Sequence, residues 1–118
     1  MTLLHVRAPA AQMGTSDRSA SMATRDADGV AWLLFDREGS SANTLSADLI
    51  EELDKIIAEL ESQRPTGLVI RSAKTSGFIA GADVNEFRGA SDPRAVETEI
   101  GRAHAVIDRL DNLPVPVV

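Results

Sequence analysis

The sequence predicts a mixed α/β fold from three features that follow one another along the chain. An Asp-Gly turn separates two short segments rich in residues that favour β-strands, which is a strong hairpin signal. An amphipathic segment follows, with apolar residues at spacings of three and four, as in a surface helix. A short continuous apolar run of the kind found in buried strands comes next. The predicted order is therefore strand, strand, helix, strand.

The composition limits the kind of protein this can be. A chain of 118 residues with 43% hydrophobic and 25% charged residues fits one globular domain, or part of one. A net charge of −6 and only 3% aromatic residues make nucleic acid an unexpected partner, since phosphate binding needs a clustered basic face. The absence of cysteine excludes disulfides and thiolate metal sites. The histidines, His5 and His104, are far apart, so no metal site is expected and each is interpreted as structural.

Residues 1–21 differ from the rest of the chain. They show no apolar periodicity and are rich in Ala, Ser and Thr, which predicts a disordered leader ahead of a domain at 22–118. Arginine with few acidic residues also fits a transit peptide, and Met22 could equally be the start of translation. No apolar run in the chain approaches the roughly 20 residues of a membrane span, so none is expected.

The first half of the domain is predicted to be a hairpin followed by a helix. Residues 22–25 and Val30–Phe35 are expected to form antiparallel strands, with a polar loop over 36–43. Ser46 is predicted to cap a helix that ends before Pro65. The buried face of this helix is expected to consist of Leu49, Leu53, Ile56, Ile57 and Leu60.

The second half is predicted to contain a buried strand, a helix and the start of another strand. The strand lies at 68–70, and the helix begins with Asp92 as N-cap and Pro93 at its first position. Residues 112–114 end this helix, and 116–118 open a strand that is cut short, which predicts a truncated domain. The inner face of the helix is expected to be Val96, Ile100, Ala103, Ile107 and Leu110.

The segment that carries chemistry lies between the buried strand and the second long helix. Small residues at 80–82 would let a ligand touch the backbone. Asp83 followed by Glu86 has the spacing of a capping box, which predicts a short helix whose free N–H groups suit negative charge. The spacing fits a purely structural tight turn as well. A capping role also explains both carboxylates more simply than an acid/base pair does. No Gly-Lys-Ser/Thr follows, which excludes a P-loop.

Three segments resemble the crotonase superfamily of enoyl-CoA hydratases and isomerases. Residues 78–87, Phe-Ile-Ala-Gly-Ala-Asp-Val-Asn-Glu-Phe, are similar to the family pattern F-x-A-G-A-D-[ILV]-x-E-[FLM]. Residues 42–45 and 49–53 resemble its N-A-L loop and first helix, and residues 113–118 its L-P-x-P-V entry into a core strand. The first match is specific, whereas the other two are weak alone. Together they cover residues 22–118 in the family's order.

The resemblance implies the amino-terminal part of a crotonase-like spiral of ββα units, acting on an acyl-CoA thioester without a covalently bound cofactor. It makes the backbone N–H of Ala82 one half of an oxyanion hole for the thioester carbonyl. At the position of Ser40 some relatives carry a basic residue that meets a phosphate, and its absence here puts that contact in doubt. The residues that would line the coenzyme A path are Ser40, Ala42, Ala80, Gly81, Asp83 and Val84.

Within the superfamily, the chain most resembles the hydratase part of the bifunctional fatty-acid oxidation subunits. This implies an enoyl-CoA hydratase of β-oxidation, oligomeric at full length and cytoplasmic, or organellar if residues 1–21 are a transit peptide. NAD would be a cofactor only if a dehydrogenase domain follows. The family's second oxyanion donor and two catalytic glutamates would follow Val118, so the 118-residue chain alone is expected to be inactive. Other crotonase chemistry, such as an isomerase or hydrolase, and a non-catalytic fragment are the alternatives.

Overall fold

A computed structural model describes residues 4–6, 24–89 and 91–118, and shows one sheet covered on one face by helices. The elements in chain order are strands β1 (Leu4–Val6), β2 (Thr24–Arg25) and β3 (Val30–Phe35), helix α1 (Ala47–Ser62), strand β4 (Gly67–Ser72), a short 3-10 helix (Val84–Glu86) and helix α2 (Pro93–Asp111). The predicted order of strand, strand, helix and strand is confirmed. No helix in the described part of the chain is both long and apolar enough to cross a membrane.

Strand β3 is the centre of the sheet. Along one edge it pairs in parallel with β4 over its whole length, from Val30 opposite Gly67 to Phe35 opposite Ser72. The other edge is shared by two antiparallel strands, β2 beside Ala31 and Trp32, and β1 beside the last part of β3. The predicted hairpin of β2 and β3 is therefore confirmed.

Strand β1 lies within the segment predicted to be a disordered leader. Residues 4–6 pair with β3 although their sequence shows no extended apolar period. A strand this short is specified by the free backbone groups of its neighbour more than by its own pattern. Residues 7–21 lie outside the described residues, so the prediction of disorder for them stays a prediction.

Helix α1 supplies most of the core, as the sequence predicted. Ser46 caps it, because the Ser46 hydroxyl accepts a hydrogen bond from the Leu49 N–H at 3.2 Å. The five apolar residues predicted to face inward are all buried, together with Ile50. They pack against the alternate residues of β3 that point to the same face and against Leu68 of β4. Burying a leucine or isoleucine contributes about 1.5–3 kcal/mol, so this contact dominates the stability of the unit.

Helix α2 has the predicted caps, and its buried face matches the prediction in part, since Ala103 and Leu110 pack against the core. Asp92 accepts from the Arg94 N–H at 3.0 Å, and Asn112 follows the last turn. The fully buried residue of α2 is Val106, which was not on the predicted face. Ile100 and Ile107, predicted to be buried, are 44% and 39% exposed. Helical spacing shows that a face is apolar, but which stripe becomes covered depends on the position of α1.

An ion-pair cluster fixes α2 against α1. Arg109 near the end of α2 donates to Glu61 at 3.0 Å and also pairs with Asp54, both on α1. The last residues then return to the sheet, where the Leu68 N–H donates to the Pro116 carbonyl at 2.8 Å and the Val118 N–H to the Leu68 carbonyl at 2.9 Å. Where a strand was predicted at 116–118, the structure has an isolated parallel bridge between Val117 and Leu68 of β4.

The β2–β3 turn contains a carboxylate with a lowered pKa, which gives a testable pH dependence. The Asp26 carboxylate accepts hydrogen bonds from the Trp32 indole at 3.0 Å, the Asp28 N–H at 2.9 Å and the Val30 N–H at 3.0 Å. The indole bond, followed by the backbone bonds, holds the pKa of Asp26 below its ordinary value of 3.8. The folded state therefore binds this proton less tightly than the unfolded state does.

We expect this contribution to stability to be complete above pH 3.8 and to be lost as the pH falls through the lower pKa of the folded state. Thermal unfolding followed by the fluorescence of Trp32, the only tryptophan, measures it. The Asp26→Asn variant should have a flatter pH profile below 3.8 than the wild type. Profiles of the same shape for both proteins would show that Asp26 is not responsible.

Candidate active site

The backbone of Ala82 is held on one side only. Leu45 and Ala82 form a parallel bridge, in which the Leu45 N–H donates to the Gly81 carbonyl at 2.8 Å and the Asp83 N–H donates to the Leu45 carbonyl at 2.9 Å. In such a bridge the N–H of the central residue points away from the partner strand. Among the described residues, the Ala82 N–H accordingly donates no hydrogen bond. The bridge therefore fixes the direction of the Ala82 N–H and leaves it available to bond a ligand atom.

The residues before Ala82 explain why the chain can take this path. Gly81 has a φ of +115°, a region that residues with a side chain rarely adopt. One residue earlier, the Ala80 N–H donates to the Asn43 carbonyl at 2.8 Å. The glycine therefore allows a sharp change of direction between two backbone bonds to the segment that leads into α1.

Asp83 caps the short helix, as predicted, and has a second partner. Its carboxylate accepts from the Asn85 N–H at 3.1 Å and forms an ion pair with Arg37 at 2.9 Å. The Arg37 guanidinium, followed by the Asn85 N–H, holds the pKa of Asp83 below its ordinary value of 3.8. Arg37 also donates to the Thr44 hydroxyl. The ion pair thus joins the loop after β3 to the segment that carries Ala82.

Glu86 does not complete the predicted capping box, and this part of the prediction is wrong. Its carboxylate would have accepted from the Asp83 N–H, but that N–H is already bonded to the Leu45 carbonyl. Both Glu86 oxygens instead accept from the Ala47 N–H, at 3.0 and 3.1 Å. Ala47 is the first residue of α1, so Glu86 caps a helix 39 residues away from it in sequence.

Asn43 organises the site, and the sequence showed it only as one letter of the N-A-L-like loop. It is buried, with 1% of its surface exposed. Its amide nitrogen donates to the Phe35 carbonyl at 3.1 Å, the Ser72 hydroxyl at 3.0 Å and the Phe78 carbonyl at 3.0 Å, while its oxygen accepts from the Arg37 N–H at 2.9 Å. One side chain therefore connects the ends of β3 and β4 to the segment before Ala82.

An apolar cavity of about 600 Å³ lies beside Ala82. Its walls come from the start of α1, the short helix and the exposed apolar stripe of α2. The apolar lining residues are Leu45, Ala47, Ile50, Ala82, Phe87, Ala95, Val96, Ile100, Ala103 and Ile107, and the polar ones are Ser46, Glu86, Glu99 and His104. His104, interpreted from sequence as structural, is exposed and faces this cavity. The volume is within the range of small-molecule sites.

Of the residues predicted to bind ligand, Ala82 alone lines this cavity. The rest lie in the two adjoining segments. Ser40 accepts from the Ala42 N–H at 3.3 Å, Val84 is 62% exposed, and Ala80, Gly81 and Asp83 are neighbours of Ala82 in the chain. The structure brings the loop of Ser40 and Ala42 next to Ala80 through Asn43. Their role in binding coenzyme A stays a prediction.

Substitutions of Asp83 test whether its carboxylate takes part in the reaction or only caps the short helix. The Asp83→Asn variant keeps an oxygen for the Asn85 N–H and loses only the charge opposite Arg37. We expect it to unfold between the wild-type and alanine-variant temperatures, because it keeps the cap and loses the ion pair, and in the full-length protein to keep most of its turnover. The Asp83→Ala variant should unfold at a clearly lower temperature because the cap is lost. A folded asparagine variant without turnover would place Asp83 in the chemistry.

The curated relatives of this chain are fatty acid oxidation complex subunits alpha. The subunit of Idiomarina loihiensis is 38% identical over 105 residues, a match that covers 88% of this chain, and that of Aliivibrio fischeri is 32% identical over 102 residues, covering 85%. The chain spans about 15% of the length of each. No protein-family model matches the chain.

Solved structures give the fold. The enoyl-CoA hydratase of Mycobacterium smegmatis superposes with a TM-score of 0.76 over 99% of this chain at 23% identity. The chain has the crotonase fold. The enoyl-CoA hydratase of Bacillus anthracis gives a TM-score of 0.72 over 98% of the chain at 24% identity. In both cases the match covers 38% of the solved chain, so the described elements form one part of a crotonase fold.

Proposed function

We propose that the full-length protein containing this chain is an enoyl-CoA hydratase-type enzyme of fatty-acid oxidation, and that Ala82 supplies one of its two oxyanion donors. The observation that carries the proposal is the Ala82 N–H, which has no partner among the described residues although its flanking peptide groups are bonded to Leu45. Ala82 also lines the apolar cavity, so its N–H is placed beside the space that a substrate would occupy. The homologous fatty acid oxidation subunits support the assignment.

The chemistry such a donor can assist is addition to a thioester-conjugated double bond. When the oxygen of water bonds to the β-carbon, the water gives up one proton to a general base of the full-length protein, the π electrons shift, and negative charge collects on the thioester oxygen. A proton then adds to the α-carbon, and the charge is lost. A preorganised N–H stabilises the charged intermediate more than the neutral substrate, which lowers the barrier. The apolar stripe of α2, with Val96, Ile100 and Ile107, suits the acyl chain of such a substrate.

The assay is hydration of crotonyl-CoA by the full-length protein, followed by the loss of enoyl absorbance. We expect turnover in the full-length protein. An absence of hydration, with isomerisation or thioester hydrolysis in its place, would overturn the hydratase assignment while leaving Ala82 as an oxyanion donor.

The 118-residue chain by itself is expected to hydrate no crotonyl-CoA. The resemblance places the second oxyanion donor and the catalytic glutamates outside these residues, and the lack of each would cost a factor of about 10² or more. Its sheet also ends at Val117 and Val118, which are 36% and 83% exposed, and such an edge favours association. Sedimentation and the same absorbance assay on the 118-residue chain provide the comparison. Hydration well above the buffer rate would show that the acid/base groups lie within these residues.

A further inference from the structure

The Glu86 carboxylate is placed where it can control the position of the Ala82 N–H. It joins the short helix that follows Ala82 to the first residue of α1, with both oxygens within 3.1 Å of the Ala47 N–H. A hydrogen bond from a peptide N–H to a carboxylate is charge-assisted and stronger than one to a neutral oxygen. The positive end of the α1 dipole strengthens it further.

This bond closes a loop around Ala82. The two strands of the Leu45–Ala82 bridge lead directly into α1 on one side and into the short helix on the other. The Ala80 N–H, bonded to Asn43 at 2.8 Å, holds the segment before the bridge, and Glu86 holds the segment after it. Without Glu86, the turn after Ala82 would be connected to the segment before α1 by the bridge and by Arg37, which pairs with Asp83 and donates to Thr44.

We propose that Glu86 is a positioning residue that fixes the Ala82 N–H for its role as oxyanion donor. The inference rests on the proposed function. Glu86 acts through the backbone of residues 82–86, because its carboxylate is bonded to the Ala47 N–H and so ties the short helix to the start of α1. An oxyanion donor contributes only when it is aligned with the developing charge, and a misplacement of about 1 Å can cost about 10²-fold.

The experiment compares Glu86→Ala with Glu86→Gln in the full-length protein. The alanine variant should lower kcat about 10-fold to 100-fold with a much smaller change in KM, since the donor acts mainly on the charged intermediate. The glutamine variant keeps an oxygen for the Ala47 N–H and should recover most of the lost kcat. Asp48→Ala is the matched control, because Asp48 is an exposed carboxylate in the first turn of α1 that does not line the cavity.

Hydrogen exchange on the full-length protein separates this inference from the function itself. The amides of Leu45 and Asp83 form the bridge, so their exchange should become faster in Glu86→Ala and stay unchanged in Asp48→Ala. If the wild-type protein shows no turnover, the proposed function is rejected. The exchange data would still test whether Glu86 holds the bridge between Leu45 and Ala82. A folded Glu86→Ala protein with wild-type kcat would overturn the inference. So would equal losses in Glu86→Ala and Asp48→Ala. If the alanine variant does not fold, a glutamine variant with kcat as low as an Ala82→Pro variant would also overturn it.

Discussion

Replacing Ala82 with proline in the full-length protein is expected to lower kcat by about 10² or more, the effect of losing one oxyanion donor. Proline has no N–H, so the substitution removes the donor while leaving a small apolar side chain beside the cavity. The bridge itself does not use the Ala82 N–H, because its bonds come from Leu45 and Asp83. Crotonyl-CoA hydration measures the effect, and circular dichroism checks the fold.

The Ala82→Gly variant is the matched comparison, because it keeps the N–H and removes only the side chain. It should retain most of the turnover that the proline variant loses. A folded proline variant with wild-type turnover would remove Ala82 from the mechanism. Equal loss in both variants would assign the effect to the side chain or to local flexibility and not to the N–H.

Replacing Asn43 with leucine is expected to be the most destabilising single change in the site. Leucine has a similar volume but satisfies none of the groups that Asn43 bonds, among them the Phe35 and Phe78 carbonyls and the Arg37 N–H. A buried polar group left without a partner costs about 1–3 kcal/mol, so a loss of about 3 kcal/mol or more is expected. Denaturant unfolding of the 118-residue chain measures this free energy.

Asn112 provides the control for that measurement. Its amide donates to the Asp108 carbonyl at 2.7 Å at the exposed end of α2, where water can replace it. The Asn112→Ala variant should change the free energy of unfolding by no more than about 0.5 kcal/mol. If Asn43→Leu were as stable as Asn112→Ala, the hydrogen bonds of Asn43 would contribute little to the free energy of unfolding. The Leu45–Ala82 bridge would then be what holds the segment before Ala82 in place.

Features set by neighbours in sequence were predictable. The caps at Ser46, Asp83 and Asp92 depend on residues within three positions, and each is found where the sequence places it. The apolar face of α1 is one continuous stripe packed mainly on the sheet, so helical spacing was sufficient to name five of its six buried residues. The A-G-A-D segment pointed to the crotonase fold, and the superposed structures confirm it.

The hydrogen-bond partners of Glu86 and Asn43 were set by interactions between residues far apart in the chain. The sequence spacing of Asp83 and Glu86 fits a capping box. In the structure the Asp83 N–H donates to the Leu45 carbonyl, and the Glu86 carboxylate accepts from the Ala47 N–H instead. Asn43 bonds partners as far as 35 residues away, which no local pattern encodes.

The sequence by itself thus determined the two long helices, their N-caps, strands β2 to β4 and the segment in which the candidate site lies, because backbone hydrogen bonds within four residues and apolar periodicity are local quantities. Only the tertiary structure decided which stripe of α2 is covered, which carboxylate caps which helix, and that the Ala82 N–H is the unbonded one. Each of these depends on which donors and acceptors remain free once the strands have paired, and pairing joins residues far apart in the chain.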